Sequence, residues 1–320
     1  KIALGNKIFF FKFAINFMYL NILNETGRLR AVVVGIAEDM GAHPKIEDCY
    51  DPKSRSHILA GTYPIENDCV NEISSLVSIF KKYAVEVFRP DNICGLNQIF
   101  SRDIAFVIDN KIVLPNIIKN REMELHAINR VLNQIPNNSI IKMPKGARAE
   151  GGDVILYNEY VFIGYSNVID FENYIVARTN EAGVNFLSSS FAHKTFKAFE
   201  LNKSDLDPRK NALHLDCCFQ PIGNDTAIIY KDGFKNQFDV DFLVELFGSK
   251  NIIELSMEEM YNMNANIFSI SNDTVISEKG FLRLNLELRK RGFKVEEVSY
   301  SQIAKMEGLL RCSTMPLIRD

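Results

Sequence analysis

The chain lacks any pair of cysteines at CxxC spacing, and it has no cysteine–histidine cluster at the intervals of a zinc site. Its six cysteines, Cys49, Cys69, Cys94, Cys217, Cys218 and Cys312, are scattered. That pattern argues against a disulfide-framed secreted module and predicts reduced thiols, a cytoplasmic protein and no bound metal. No Gly-rich phosphate loop or dinucleotide fingerprint occurs, so no cofactor is expected. Neither charge is in excess. Lys and Arg total 37 against 40 Asp and Glu, a formal net charge of -3, which leaves no electrostatic footprint for nucleic acid or an anionic membrane. The apolar run Ile8–Leu20 is broken by Lys12 and Asn16. It falls short of the roughly 20 residues that span a bilayer and has no small-residue cleavage site.

Residues 1–17 differ in character from the rest of the chain, which begins without Met, while Met18 directly precedes globular sequence. We expect 1–17 to be an extension outside the core fold or an over-long gene start, with a peripheral strand as the alternative. Residues 18–320 then form one α/β domain, since a chain that is 47% hydrophobic can bury a large core.

What is present is a repeat. A hairpin, an amphipathic helix and a returning strand recur along the chain. Arg30–Glu38 reads as a strand, 68–83 as a helix and 84–90 as the return. The second unit has a hairpin turning at Asp109-Asn110, a helix over 121–135 and a strand over 139–144. The third has a hairpin over 153–166 and a helix within 182–199, with no clear returning strand. The fourth runs from His214 through the helix 239–248 to the strand 251–256. The fifth turns at Asn272-Asp273, followed by the helix 281–292 and the strand 293–300. The last strand, 314–320, has no unit of its own and would close a ring onto the first. Five ββαβ modules of this kind predict one mouth where their first strands converge.

Leu213–Cys218 alternates as a β-strand would, which places His214 and Asp216 on one face. Asp103, Glu150 and Asp153 sit at equivalent module starts, and Cys312 precedes the closing strand. A thiolate is a strong nucleophile that needs a nearby cation or base to form. Acids crowded around it would raise one another's pKa unless a cation filled the space. Together these specify a planar, cationic, multi-donor ligand with an attackable carbon, and a guanidinium fits.

Six motifs in order carry a resemblance: Gly27–Gly35 (GRLRAVVVG), Phe100–Asp103 (FSRD), Glu150–Val154 (EGGDV), Arg178–Asn180 (RTN), His214–Asp216 (HLD) and Arg311–Leu317 (RCSTMPL). Across roughly 24–320 the chain resembles the guanidino-group-modifying, or pentein, superfamily of arginine deiminases, dimethylarginine dimethylaminohydrolases and amidinotransferases. The resemblance implies a five-bladed α/β propeller. It also implies Cys312 as nucleophile on the guanidinium carbon, His214 as the acid and base, and Asp103 and Asp216 as grips on the guanidinium nitrogens. Glu150 would orient the histidine or help bind the guanidinium, and Asp153 is the structural acid of its motif. Arg178 would hold a substrate carboxylate or serve a structural ion pair. Arg311 would clamp a carboxylate or stabilise the thiolate.

Two departures bear on the substrate. A Gly-rich run before the cysteine is replaced by Met306–Leu310, and Val168–Ala177 is inserted before Arg178. The expectation is a hydrolase releasing ammonia or an amine and a ureido product such as citrulline, through a covalent amidino-cysteine. The alternatives are an amidinotransferase with an amine acceptor such as glycine, and a non-catalytic binder of arginine-like ligands. A homodimer is compatible with the sequence.

Overall fold

The computed structural model describes residues 17–320; residues 1–16 of the expected extension lie outside them. The order of elements is a hairpin-helix-strand repeat built into five three-stranded sheets. In the first sheet β1 (Leu29–Val34) pairs in parallel with β2 (Glu86–Phe88). The second holds β3 (Phe106–Ile108), β4 (Lys111–Leu114) and β5 (Ile140–Lys142), and the third β6 (Val154–Tyr157), β7 (Tyr160–Tyr165) and β8 (Thr195–Glu200). The fourth contains β9 (Phe219–Ile222), β10 (Thr226–Ile229) and β11 (Ile252–Glu254), and the fifth β12 (Phe268–Ser271), β13 (Thr274–Glu278) and β14 (Lys294–Val298). The last strand, β15 (Thr314–Arg319), pairs antiparallel with β1, from Leu29 opposite Arg319 to Val34 opposite Thr314. The first sheet is therefore completed by the far end of the chain, and the ring closes as its repeat requires.

In each later sheet the first two strands form a hairpin and the third returns parallel, with a helical connection between. Asp109 and Asn158 take positive φ in two of the hairpin turns, a conformation that Asn and Asp tolerate better than most residues. The helix Glu66–Lys82 shows how a crossover is fixed. Cys69, Ile73, Leu76 and Phe80 form one buried stripe, with acids in the first turn and lysines in the last. Alternation then divides the core in two. On β1, Ala31 and Val33 face one apolar cluster while Val32 and Val34 face the other. No helix among the described residues is long and apolar enough to cross a membrane.

Three local readings are corrected. Leu215–Cys217 is one turn of 3-10 helix, not strand, and β9 begins only at Phe219. The turn forms because the Leu215 N–H donates to Asp153 Oδ1 (2.9 Å) and the Cys217 and Cys218 N–H groups bond back to His214 and Leu215. The stretch 119–128 is 3-10 rather than regular α-helix, followed by a short α-turn at Asn129–Leu132. Its Arg121 and Glu124 point inward and are buried, which breaks the apolar stripe an α-helix would need. The third module's missing strand is β8, hidden inside the segment read as helix. The helix there ends at Ser190, and Thr195–Glu200 pairs along the whole of β7.

Candidate functional site

The residues singled out in the sequence meet where the first strands converge, and all of them are buried. Apart from Arg178, which precedes the helix Glu181–Ser190, each leads into a strand from a turn rather than sitting on the strand itself. Asp103 lies in the short helix Ser101–Ile104 before β3, and Glu150 caps the 3-10 turn Gly151–Asp153 before β6. His214 caps the turn before β9, and Cys312 lies two residues before the start of β15. Turns suit this purpose because they aim a side chain along the strand axis, into the mouth, where a pleated strand would aim it sideways.

His214 Nε2 lies 2.9 Å from Glu150 Oε2, and its Nδ1 is 3.8 Å from Asp103 Oδ1. Burial alone would favour neutral imidazole. Asp103, Asp153 and Glu150 outweigh it and raise the His214 pKa to about 9. The ring therefore rests as an imidazolium at neutral pH. Gly152 makes the approach possible, since a Cβ there would stand 2.6 Å from His214 Nδ1. Burial opposes the charge on Glu150, but Arg178 and His214 hold its carboxyl far below the usual range.

Arg178 bonds to Glu150 Oε2 (3.2 Å) and to the carbonyls of Tyr50 and Ile175. Of its two readings the geometry has the buried ion pair, and the inserted segment supplies one of its acceptors. Asp103 does not pair with its neighbour Arg102. Its partner is Arg121, at 2.7 Å, which also forms a two-pronged pair with Glu124 at 2.8 Å. Asp153 accepts from Thr179 Oγ1 and the Leu215 N–H, which fixes the turn that carries His214.

Cys312 Sγ lies 3.7 Å from Asp216 Oδ2 and 3.2 Å from Asn266 Nδ2. Burial, then Asp216 and Asp103, push its thiol well above the ordinary range. Arg311 stands behind Asp216. Its guanidinium donates to Asp216 Oδ2 (2.9 Å), to Glu25 (3.0 and 3.3 Å) and to the carbonyls of Gly151, Gly152 and Val154. Each of its three nitrogens is engaged, which leaves this arginine no free fork for a substrate carboxylate.

Within this network two buried atoms have no hydrogen-bond partner among the described residues, Glu150 Oε1 and His214 Nδ1. The unmet carboxylate oxygen suits a ligand rich in N–H groups, whereas Nδ1 of the imidazolium is an unmet donor. Asp103, Glu150 and His214 also bring donor atoms within 4.8 Å of one another, as a metal ion would need. The raised pKa of His214 disfavours the neutral ring that a metal ion would need as its ligand. Beside the site lies a cavity of about 360 Å³ lined by Tyr50, Asp51, Phe100, Glu124 and Met306 among others. The carbonyls of Tyr50 and Phe100 accept from Arg178 and Arg121, so its wall is continuous with the site.

Sequence reasoning passed over Arg121, Glu124, Glu25 and Asn266. Arg121 and Glu124 lie in the stretch expected to be a helix over 121–135 and belong to none of the six motifs. Asn266 occupies the module start of the fifth unit, and the repeat itself could have found it.

A family model described as N,N dimethylarginine dimethylhydrolase, eukaryotic, matches residues 57–319. The chain is 30% identical over 247 residues to the uncharacterized protein YkgA of Bacillus subtilis, which covers 77% of this chain and 79% of that one. It is 25% identical to an arginine deiminase of Listeria monocytogenes over 262 residues, 70% of this chain and 62% of the deiminase. The match thus spans less than two thirds of the deiminase's length. The fold superposes on the substrate-bound N-terminal domain of ArgZ, a cyanobacterial arginine dihydrolase, with a TM-score of 0.73, 17% identity and coverage of 90% and 98%. SxtG, an amidinotransferase from Microseira wollei, gives 0.73, 19%, 94% and 97%. At such identities these two likenesses concern the fold alone.

Proposed function

The chain belongs to the pentein family of guanidino-group-modifying enzymes, and on that premise we propose that it hydrolyses arginine or a substituted arginine through a covalent amidino-cysteine. One observation carries the reading. Cys312 and His214 lie buried with Asp103, Glu150 and Asp216, and the unmet Glu150 Oε1 suits a guanidinium N–H. The family model and the deiminase relatives favour the hydrolase over the transferase.

Asp103 and Asp216 hold the guanidinium nitrogens, and Glu150 Oε1 accepts a further N–H. The arriving cation offsets the carboxylate charge that keeps the proton on Cys312, so the thiol ionises in its presence and its proton leaves to solvent. The thiolate attacks the guanidinium carbon, the carbon–nitrogen bond breaks, and His214 gives its proton to the departing amine. The now neutral His214 takes a proton from water, whose oxygen adds to the amidino carbon. Collapse of that adduct breaks the carbon–sulfur bond and returns the thiolate. The ureido product's excess proton passes to the released amine. Arg311 keeps Asp216 ionised and in place, and Arg178 does the same for Glu150. Both are assigned here to positioning rather than to substrate contact.

The test is incubation with arginine and with methylated arginines, with and without glycine, products being identified by mass spectrometry. Citrulline without glycine is expected, and the released amine names the substrate. Ornithine formed only with glycine would make the protein a transferase. Cys312→Ser should lower turnover by about a thousandfold or more. Activity surviving that change would remove the covalent reading, and ligand-dependent stabilisation without turnover would leave a binder.

A further inference from the structure

Four sheets send an acid, the histidine or the cysteine to the mouth from the stretch just before a strand that meets it: Asp103 before β3, Glu150 before β6, His214 and Asp216 before β9, and Cys312 before β15. In the fifth sheet, before β12, the corresponding place holds Asn266. It is fully buried, and its amide makes four hydrogen bonds, all to the segments that carry Asp216 and Cys312. Oδ1 accepts from the backbone N–H of Arg311 at 2.9 Å and of Cys312 at 3.1 Å. Nδ2 donates to Cys312 Sγ at 3.2 Å and to the carbonyl of Asp216 at 3.3 Å.

A residue that only pinned the loop would need the acceptor oxygen alone. The N–H directed at sulfur goes beyond that. The geometry points to Asn266 as a further catalytic residue, an amide that donates to the Cys312 sulfur as it gains charge while its oxygen fixes the backbone carrying that sulfur. The inference rests on the assignment of Cys312 as nucleophile. The one arginine next to the cysteine in sequence has its nitrogens engaged by Glu25, Asp216 and three carbonyls, so it acts on the sulfur only through Asp216. A hydrogen bond to an anionic acceptor is stronger than one to a neutral acceptor. Asn266 thus favours the thiolate over the thiol, first when it attacks and again when it leaves.

Asn266→Asp removes the donor while keeping the loop pinned, and adds a negative charge beside the sulfur. The aspartate retains an oxygen for the two backbone N–H groups and replaces the donor to sulfur with a carboxylate oxygen. The measurement is the rate of Cys312 alkylation by iodoacetamide against pH, followed by mass spectrometry of the Cys312 peptide, with thermal melting alongside. We expect the alkylation midpoint to rise by about one pH unit or more. With the assayed substrate, kcat should fall about ten- to a hundredfold, with KM little changed. Asn266→Ala, which removes the donor without adding charge but also frees the two backbone N–H groups, should move both readouts the same way and separates loss of the donor from the charge of the aspartate. A folded variant of either kind with the wild-type alkylation profile would overturn the role of Asn266. Turnover surviving in Cys312→Ser would instead overturn the nucleophile assignment on which it rests.

Discussion

His214 is held as a cation by its neighbours rather than by its own chemistry, and this makes its titration open to test. Its raised pKa means that the charged ring's contribution is fully present below its ordinary 6.5 and is lost as pH rises through about 9. Activity that needs the imidazolium should therefore fall on the alkaline side near that value. Glu150→Gln removes the carboxylate 2.9 Å from Nε2. The alkaline limb of the kcat profile should then move to lower pH, with kcat down about a hundredfold. An unchanged limb would show that another group sets it. Gly152→Ala is a steric counterpart. The added methyl would meet the imidazole at 2.6 Å, so the ring must turn away from Glu150. Turnover should drop about a hundredfold while the far-ultraviolet spectrum stays that of the wild type.

Elements were legible where periodicity has one interpretation. The helix Glu66–Lys82, the hairpins turning at Asp109-Asn110 and Asn272-Asp273, and the closing strand all lie close to where their patterns put them. The misreadings share a physical cause. Leu213–Cys218 alternates like a strand, but its backbone N–H groups are taken by Asp153 and by the turn itself. That partner is distant in sequence, and no local pattern reveals it. Candidate site residues could still be named, because module position and residue type survive an error about strand or turn. Their partners could not be, since Arg121 and Glu124 look like any solvated pair until the fold buries them. Element packing also predicts a stability effect away from the mouth. Glu72, on the helix Glu66–Lys82, accepts the N–H groups of Gln302 and Ile303 at 2.9 Å each. Glu72→Ala strands both donors and should cost about 1–3 kcal/mol, seen as a lower melting temperature.

At the scale of the whole molecule, Glu25 joins the beginning of the described chain to its end. Burial raises its pKa, but Arg311, Arg102 and Arg319 outweigh this and hold it at about 2. A carboxyl depressed in the folded state stabilises above its ordinary 4.5, and that contribution fades as pH falls from there toward 2. Acid unfolding of Glu25→Gln should accordingly be shallower over that window than that of the wild type, although the variant is less stable at neutral pH. Equal slopes would mean that other acids dominate.

The pairing of β1 with β15 joins residues as distant as Leu29 and Arg319, and each of the five sheets delivers its own piece of the site. A catalyst divided this way behaves like a quorum. A fragment without the module of Cys312 or of His214 should be inert, because the site then lacks its nucleophile or its acid. Turnover is in effect a vote count on whether the ring is whole, so activity should vanish in step with the first cooperative loss of structure and return only when the last module is seated.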